Sequence, residues 1–246
     1  MMALLSPAKN MTAVHRQNAS LSRPYFWERA AKLAAALKEY APWQLESLLG
    51  TSPAIAMRAY MDYQAFDPEA RGSAALLAYS GLAFRYLDGA SLSDEGLDYA
   101  DGHVRIVSAL YGLLRPLDGI LPYRLEMQSR LRMEGENLYA YWGDAVYRRL
   151  FEEDGVIINL ASAEYARMVA PYVQQGERFI TCDFLTLRQG RRVMPATAAK
   201  MARGRMVRFM VDNRADDPVK LQAFDWDGYA FCPELSSEER YVFLRS

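Results

Sequence analysis

The 246-residue sequence contains only two cysteines and two histidines. Two cysteines, Cys182 and Cys232, cannot form a disulfide framework, and each lies in an apolar or aromatic run where a buried thiol is the ordinary outcome. Together with His15 and His103, they show none of the ligand spacings typical of zinc or haem sites. We therefore predict no metal site and no cofactor, and nothing indicates a carboxylate-based iron or magnesium site.

We expect neither a signal peptide nor a membrane span in this sequence. Residues 1–9 have neither the charged region nor the long apolar run of a signal peptide, and no stretch approaches the roughly 18 apolar residues that cross a bilayer. We therefore expect a cytoplasmic protein without a membrane partner, and no protein partner can be inferred. The 51% hydrophobic content is sufficient for a large core.

Positive charge is concentrated in one region, although the formal net charge is only -1. Seven basic side chains lie between Arg188 and Arg208, and such clustering indicates an anionic partner. The apolar spacing over 198–211 predicts a helix, on which Lys200, Arg203 and Arg214 lie within roughly 60° of one another. These three cations line a cleft or, alternatively, belong to a solvated helix face.

Strand and helix signals are mixed along the chain, without repeats or a linker. We predict strands at 3–6, 74–79, 104–110, 156–160, 179–187, 191–194, 229–232 and 241–244. We predict helices after Ser22, at 42–49 and 54–63, after Ser93, from Asn137 to Leu150, after Ser162, at 198–211 and from Asp217-Pro218. This pattern predicts an α/β or α+β fold in which residues 1–246 form a single compact domain, with a mixed sheet and surrounding helices.

The helices at 42–49 and 54–63 flank a short turn. Gly50 is typical of a helix C-terminus, and Ser52 before a proline is typical of a helix N-terminus. The two helices therefore have the shape of a helix-hairpin-helix element at about 42–63. The second helix carries only Arg58 as a cation, and Asp62 offsets it. Plain packing of two helices is therefore the alternative to a DNA-binding role.

A rigid polar loop follows the strand predicted at 104–110. Arg115 and Arg124 offer planar guanidinium groups suited to phosphate or carboxylate, and Asp118 and Glu126 are their natural intramolecular partners. The loop is therefore either an internal arginine–carboxylate network or an anion site built on that network.

A second junction between a strand and a helix carries Asn159, Ser162 and Glu164. Backbone N–H groups at the start of this helix can hold a phosphate, whereas Ser162 can simply cap the helix. Asp144, on the preceding helix, is either an arginine partner or a general base.

Ser6 and Lys9 lie where the first strand ends, a common position for site residues. A lysine desolvated beside other cations, here Arg115, Arg124 and Lys200, can be partly neutral near pH 7 and act as a nucleophile. No histidine pairs with Ser6 at a recognisable spacing, and neither a P-loop nor a dinucleotide fingerprint is present. The candidate catalytic residues are Ser6, Lys9, Asp144 and Glu164.

Many of these polar residues belong to motifs that keep their order along the chain. The motifs are Ser6-Pro7-Ala8-Lys9, 108–118, 122–127, 138–144 with Tyr-Trp-Gly-Asp, 158–165, 200–204 with Lys-x-Ala-Arg-Gly, Arg208-Phe209 and Asn213-Arg214. In these motifs, and as far as about Phe231, the chain resembles the YaaA family of bacterial peroxide-stress proteins. The sequence departs from the family pattern at Ala59, Asp62, Leu82 and Tyr86.

The resemblance implies a compact mixed α/β fold and a cytoplasmic role in limiting oxidative damage linked to iron. It also implies binding of duplex DNA through a positively charged cleft with a helix-hairpin-helix element. The residues that would bind DNA or another phosphate-bearing ligand are Lys9, Arg115, Arg124, Lys200, Arg203, Arg208, Arg214, Asn159 and Ser162.

Two main interpretations follow from the sequence. The first is a peroxide-stress protective protein that binds duplex DNA without strong sequence preference. The alternative is an enzyme that acts on a nucleotide or on damaged DNA in the same cleft, for example as a lysine-based lyase or a glycosylase-like protein. A third, an iron buffer, would have only carboxylates as ligands. The sequence leaves open whether the protein is an enzyme.

Overall fold

A mixed β-sheet lies at the centre of the fold. The structure, a computed structural model, describes residues 1–14 and 20–245, so His15 lies outside the described residues. The described strands are β1 (Met2–Leu5), β2 (Ser73–Ala74), β3 (Val104–Ser108), β4 (Gly112–Leu114), β5 (Gly119–Ile120), β6 (Val156–Leu160), β7 (Arg178–Arg188), β8 (Arg191–Val193), β9 (Tyr229–Phe231) and β10 (Arg240–Arg245). The order across the main sheet is β4-β3-β1-β6-β7-β10-β9, with β8 paired to β7, and β2 and β5 form a separate pair.

Parallel pairing dominates the middle of the main sheet. β1 is parallel to β3 and β6, and β7 is parallel to β6 and β10, whereas β4, β8 and β9 pair in an antiparallel manner. β1 has the sequence Met-Ala-Leu-Leu and is buried along its whole length, as expected of a central parallel strand covered on both faces. The predicted α/β fold with a mixed sheet is therefore confirmed.

Helices surround this sheet. The described α-helices are α1 (Trp27–Lys38), α2 (Pro42–Leu49), α3 (Pro53–Gln64), α4 (Ala75–Ala78), α5 (Leu82–Leu87), α6 (Asp94–His103), α7 (Leu138–Trp142), α8 (Ala145–Glu153), α9 (Ala163–Ala166) and α10 (Ala196–Asn213). Short 3-10 helices lie at Gly89–Ser91, Ala170–Tyr172, Pro218–Ala223 and Pro233–Leu235. α6 packs against β1 and β3, α8 against β4, and α10 against both β7 and α5. None of the described helices has the length and apolar composition needed to cross a membrane.

Several local signals are confirmed in detail. α2 has the predicted bounds, and the Ser93 hydroxyl caps α6 by accepting the Gly96 N–H at 3.1 Å. The hairpin between β7 and β8 turns at Gln189 and Gly190, whose φ angles of 48° and 72° are those that a two-residue hairpin turn requires.

The strand predicted at 74–79 is wrong. Only Ser73–Ala74 pairs as a strand, with β5, and the chain then forms the helix α4. The Ala-Leu-Leu-Ala sequence of α4 is almost wholly buried, and a short apolar run of this kind has no periodicity that separates strand from helix. Alanine and leucine both favour the helix.

The single helix predicted from Asn137 to Leu150 is instead two helices. Asn137 caps α7 as predicted, since its side-chain oxygen accepts the Ala140 N–H at 3.0 Å. At Gly143 the backbone turns to φ 54° and ψ -136°, a conformation that suits glycine and ends α7. The helix resumes as α8, so Trp142 and Asp144 lie on separate elements.

Two serines predicted as helix caps use their hydroxyl groups elsewhere. Ser22 donates to the Asp118 carboxylate at 2.7 Å, and α1 begins at Trp27 without a side-chain cap. Ser162 stands at the cap position of α9, but its side chain makes no capping hydrogen bond there. Both hydroxyls connect segments distant in sequence.

α2 and α3 form the predicted pair of helices. Gly50 ends α2 in the left-handed conformation, with φ 57°, and α3 starts at Pro53. On the exposed side of α3, Arg58 pairs with Asp62 at 3.1 Å, so its charge is partly neutralised. The DNA-binding role of this helical pair stays a prediction.

The two cysteines have different environments. Cys182 is buried in β7, as predicted, and burial raises the pKa of its thiol. Cys232 follows the end of β9 and is partly exposed, with its thiol 3.3 Å from a carboxylate oxygen of Glu234. The expectation of a buried thiol is wrong at Cys232, because β9 ends one residue earlier.

α10 and α5 are in direct backbone contact. A Cβ atom at Gly204 would lie 2.0 Å from the Ala83 carbonyl oxygen, so only glycine permits this approach. The glycine of the Lys-x-Ala-Arg-Gly motif therefore determines how close α10 lies to α5.

β7 extends beyond the carboxyl end of β6. Asn159 of β6 pairs with Thr181, and β6 ends one residue later, whereas β7 continues to Arg188. At about 3.3 Å per residue, β7 projects roughly 20 Å past the edge at which β1 and β6 end. We call residues 183–193, which comprise this part of β7, the turn and β8, the arm.

Candidate functional site

The chain leaves two neighbouring parallel strands, β1 and β6, toward opposite sides of the sheet. After β1 the chain returns to the main sheet at β3, on one side of β1, whereas after β6 it returns at β7, on the other side. The loops after such strands diverge, and the crevice between them is the usual ligand site of an α/β sheet. A cavity of about 280 Å³ lies at this crevice, and we call it the switch-point cavity.

Four parts of the chain line the switch-point cavity: the loop after β1, the loop after β6, the start of α5 and one side of α10. A segment near Glu126 completes the lining. The polar residues are Ser6, Lys9, Asn10, Ser80, Glu126, Ser162, Glu164, Lys200 and Arg203. The structure thus brings together six of the predicted site residues: Ser6, Lys9, Ser162, Glu164, Lys200 and Arg203.

Ser6 and Ser162 join the ends of β1 and β6. The Ser6 hydroxyl accepts the Ser162 N–H at 2.8 Å and donates to the Ser162 hydroxyl at 3.2 Å. Both hydroxyls line the cavity, so they form a pair of polar groups at its floor between the two strands.

Lys9 belongs to an ion-pair cluster. Its ammonium group lies 2.6 Å from Glu126, which also pairs with Arg124 at 2.8 Å. The Lys9 side chain is 62% exposed. The predicted partnership of Arg124 with Glu126 is confirmed, whereas the desolvated lysine among cations, on which the nucleophile hypothesis depends, is not what the structure contains.

Glu164 is a half-buried carboxyl group at the cavity. Burial is the main factor that raises its pKa, and the negative charge of Glu126 adds to this effect. The Gln128 N–H, which donates to Glu164 at 3.3 Å, and the charge of Lys9 act in the opposite direction. A carboxyl group with a raised pKa inside a cavity is a candidate proton donor or acceptor.

Lys200 and Arg203 are the cations that α10 contributes. Lys200 is exposed and makes no ion pair or hydrogen bond with any described residue. Arg203 is largely buried, which lowers its pKa, while the nearby Asp183 charge raises it. The Nε atom of Arg203 is fully buried and has no hydrogen-bond partner among residues 1–14 and 20–245. The Lys200 side chain thus remains available to an anionic ligand, and Arg203 lines the cavity without an ion pair to any described residue.

Arg115 lies away from the switch-point cavity. Its guanidinium group pairs with Asp101, and only its backbone N–H contacts Asp118, at 2.8 Å. The prediction that Asp118 is the side-chain partner of Arg115 is therefore wrong. Asp118 instead accepts the Ser22 hydroxyl, and its own pKa is raised because the carboxyl group is buried.

Asp144 and Asn159 also lie outside the cavity lining. Asp144 pairs with Arg148 at 2.6 Å, which is the arginine-partner alternative. Asn159 is buried, accepts the Ala161 N–H at 3.0 Å and donates to the Thr181 hydroxyl at 3.1 Å. Asn159 therefore stabilises the loop after β6 and connects it to β7.

Arg208 and Arg214 are directed elsewhere by α10. Arg208 pairs with Asp212 at 2.9 Å. Arg214 follows the last residue of α10 in the left-handed conformation and donates to the Glu95 carbonyl at 2.8 Å. The predicted grouping of Arg214 with Lys200 and Arg203 is wrong, because the helix ends before Arg214.

Sequence reasoning missed the wall formed by the start of α5. A Cβ atom at Gly81 would lie 2.8 Å from that of Ala8, so this glycine allows α5 to begin directly against the loop after β1. Ser80 and Phe84 line the cavity from the same segment. Because residues 74–79 were predicted as a strand, the start of α5 directly after them was not predicted.

Within the part of the chain that the structure describes, no group of three or more His, Cys, Asp or Glu side chains is arranged to hold a metal ion. The polar groups of the cavity are hydroxyls, carboxylates and cations. They suit a ligand that carries both an anionic group and hydrogen-bond donors.

The fold and the site define an α/β protein with a ligand cavity at the switch point of its sheet. The chain belongs to the family of the peroxide stress protein YaaA, whose sequence model matches residues 1–235. It is 37% identical to a UPF0246 protein of Agathobacter rectalis, with 100% of this chain and 99% of that protein covered. Similar proteins of Desulfitobacterium hafniense (38% identity, 100% and 98% covered) and Lactobacillus delbrueckii subsp. bulgaricus (40%, 100% and 99%) carry the same name. The family resemblance is thus confirmed.

Proposed function

We propose that this protein acts in the peroxide stress response in the cytoplasm, where it binds duplex DNA without strong sequence preference and limits iron-linked oxidative damage. One observation carries the proposal. Arg188, Arg191 and Arg192, at the tip of the arm, are exposed, and their side chains make no ion pair or hydrogen bond with any residue that the structure describes.

The geometry of the arm supports an anionic partner. Arg188 and Arg191 are directly opposite each other in the hairpin, and like charges in that position destabilise a hairpin. Phosphate groups would relieve this repulsion, and arginine guanidinium groups match phosphate oxygens in pairs. A two-stranded ribbon also fits the major groove of DNA.

Some other exposed cations are less available for DNA than the arm arginines. Arg58, Arg148 and Lys220 are exposed, but each pairs with an aspartate four residues away. A paired cation must leave its carboxylate before it can contact a phosphate. The arm arginines carry no such cost, so we expect them to contribute phosphate contacts.

The test is a titration of duplex DNA at several salt concentrations. We expect affinity to fall steeply with salt, and R188S/R191S/R192S to lower the salt slope by as much as about 2.7, at about 0.9 per phosphate contact. The control variant R58S/R148S/K220S removes the same charge from paired positions. Affinity insensitive to salt, or an equal loss in the control, would contradict the proposal.

An enzyme that acts on damaged DNA is the second candidate. One cavity is lined by the hydroxyl groups of Ser6 and Ser162 and by the carboxyl group of Glu164, whose pKa is raised. These groups are suited to acid–base chemistry. The exposed, carboxylate-paired Lys9 favours a role in ligand binding over one as a nucleophile.

Borohydride treatment in the presence of abasic-site DNA separates these roles of Lys9. We expect no trapped covalent complex, because the Lys9 ammonium group is engaged by Glu126. A trapped complex that Lys9→Ala abolishes would instead establish a lysine-based lyase.

A further inference from the structure

The switch-point cavity has two chemically different ends. The charges that shift the pKa of Glu164 are those of Glu126 and Lys9, whereas the groups that act on Arg203 are Asp183 and Cys182. Glu164 and Arg203 therefore face different charged neighbours although both line the cavity. The end that we call acidic holds the carboxyl groups of Glu164 and Glu126 with Lys9 paired to Glu126, and the end that we call cationic holds Lys200 and Arg203 of α10.

Apolar side chains also line the switch-point cavity. The cavity is lined by Leu5, Ala8, Phe84, Leu125, Leu160 and Tyr165 in addition to its polar groups. A volume of about 280 Å³ is close to the lower limit of ligand pockets, about 300 Å³. Such a cavity has room for one small ligand with a flat apolar body, and it is too small for a duplex or a folded peptide.

The cationic end lacks an anion. Among the buried side-chain atoms without a hydrogen-bond partner in the described residues, Arg203 Nε is the one in the lining of this cavity. The guanidinium group of Arg203 lines the cavity and makes no ion pair with any described residue, and guanidinium groups bind phosphate oxygens well. Lys200, on the same side of α10, adds a second cation for the same group.

The acidic end suits hydrogen-bond donors. Carboxylates accept from exocyclic amino groups of nucleobases, as they do from the amino group of cytosine in the major groove. The Glu164 carboxyl group lines the cavity, and it accepts the Gln128 N–H at 3.3 Å.

We propose that the switch-point cavity binds a single nucleotide unit, with its phosphate on Lys200 and Arg203, its base between the apolar walls, and an exocyclic amino group of the base on Glu164. The proposal rests on the proposed function in one respect, because a duplex held by the arm is one source of the nucleotide. The other source is a free mononucleotide.

Calorimetric titration of the full chain with free mononucleotides tests the site without a duplex. We expect dCMP, dAMP and dGMP to bind more tightly than dTMP, and deoxycytidine, which lacks the phosphate, to bind at least tenfold more weakly than dCMP. Arg203→Met should weaken dCMP binding at least tenfold, and Arg203→Lys should restore part of it. Glu164→Gln should reduce the preference for dCMP over dTMP.

A duplex containing 2-aminopurine distinguishes the two sources. If the nucleotide comes from DNA, the wild-type protein will increase the 2-aminopurine fluorescence by unstacking the base, and Arg203→Met will reduce the increase. Binding of free dCMP without any fluorescence increase supports a free mononucleotide as the source. Equal binding of deoxycytidine and dCMP, or no binding of any mononucleotide with no fluorescence change, would overturn the proposal.

The two proposals fail separately. Loss of salt-dependent duplex binding with retained dCMP binding would contradict the DNA-binding function and leave the nucleotide site standing. Duplex binding without dCMP binding or base unstacking would do the reverse. Circular dichroism melting of Arg203→Met and Arg203→Lys verifies that each variant is folded.

Discussion

At the scale of single residues, Glu164 makes stability depend on pH. Burial raises its pKa in the folded protein above the unfolded value. Its contribution to stability is therefore fully present below the unfolded-state pKa and is lost as the pH rises through the folded-state pKa. Glu164→Gln removes this titration and retains an oxygen for the Gln128 N–H.

We expect the melting temperature of Glu164→Gln, relative to the wild type, to rise as the pH increases from about 4 to about 7. Thermal denaturation at unit pH steps provides the measurement. Glu234→Gln is the control with the opposite sign, because hydrogen bonds from its own backbone N–H and from Cys232 lower the pKa of Glu234. A difference between Glu164→Gln and wild type that does not change with pH would refute the role assigned to burial.

Residue chemistry in the sequence predicts some partners better than others. Arg124 and Glu126 are two positions apart on one loop, and their pairing follows from opposite charge at short range. Asp118 is only three positions from Arg115, yet the Arg115 guanidinium group pairs with Asp101 on α6. The packing of α6 against the sheet places Asp101 next to this loop. No local pattern in the sequence predicts that packing.

At the scale of elements, the crossing of α10 and α5 depends on Gly204. A methyl group there would overlap the Ala83 carbonyl, and the two helices must move apart to admit it. We expect Gly204→Ala to lower the free energy of unfolding by about 1 to 3 kcal/mol. Urea denaturation measures this change.

Gly102 provides the matched control for this substitution. It lies in α6, and no atom is within 4 Å of the position of a Cβ atom there. Gly102→Ala should be neutral or should stabilise the protein by up to about 1 kcal/mol, because alanine favours the helix. If both variants changed stability equally, contact between α10 and α5 would not be the cause.

Elements with local signals were predictable, and those determined by their surroundings were not. The cap at Ser93 and the turn at Gln189-Gly190 are encoded in adjacent residues, and both are present. The segment at 74–79 is apolar throughout, so the choice between strand and helix depends on its neighbours in the fold. The break at Gly143 has a signal, the glycine itself, that the regular apolar stripe on both sides outweighed.

At the scale of the whole molecule, the two thiols should report different events. Cys182 lies in the interior strand β7, is 1% exposed and has a raised pKa because it is buried. Only unfolding of the sheet exposes it, whereas Cys232 is partly exposed in the folded protein. Iodoacetamide should therefore label one thiol in the native protein and both in urea.

Mass spectrometry of the labelled peptides checks this expectation. Cys232→Ser should leave the native protein unlabelled, and its labelling at Cys182 should follow the urea unfolding curve. Labelling of Cys182 without denaturant, at the rate found for Cys232, would mean that β7 opens locally.

The position of the cavity follows from strand order, which a single sequence does not encode. Ser6 and Lys9 were predicted as site residues from the end of a strand, and Ser162 and Glu164 from the end of another. Their meeting depends on β1 and β6 being neighbours in the sheet. Lys200 and Arg203 reach the same place because α10 packs on α5, which was also not predictable locally.

The central place of β1 has a consequence for synthesis on the ribosome. β1 is made early but pairs with β3 and β6, which are about 100 and 150 residues further along the chain. At about 5 to 20 residues per second, the apolar Met-Ala-Leu-Leu strand waits on the order of 10 s for its second partner. During that time it is an unpaired hydrophobic strand, the kind of segment that chaperones recognise and that promotes aggregation when translation is slow.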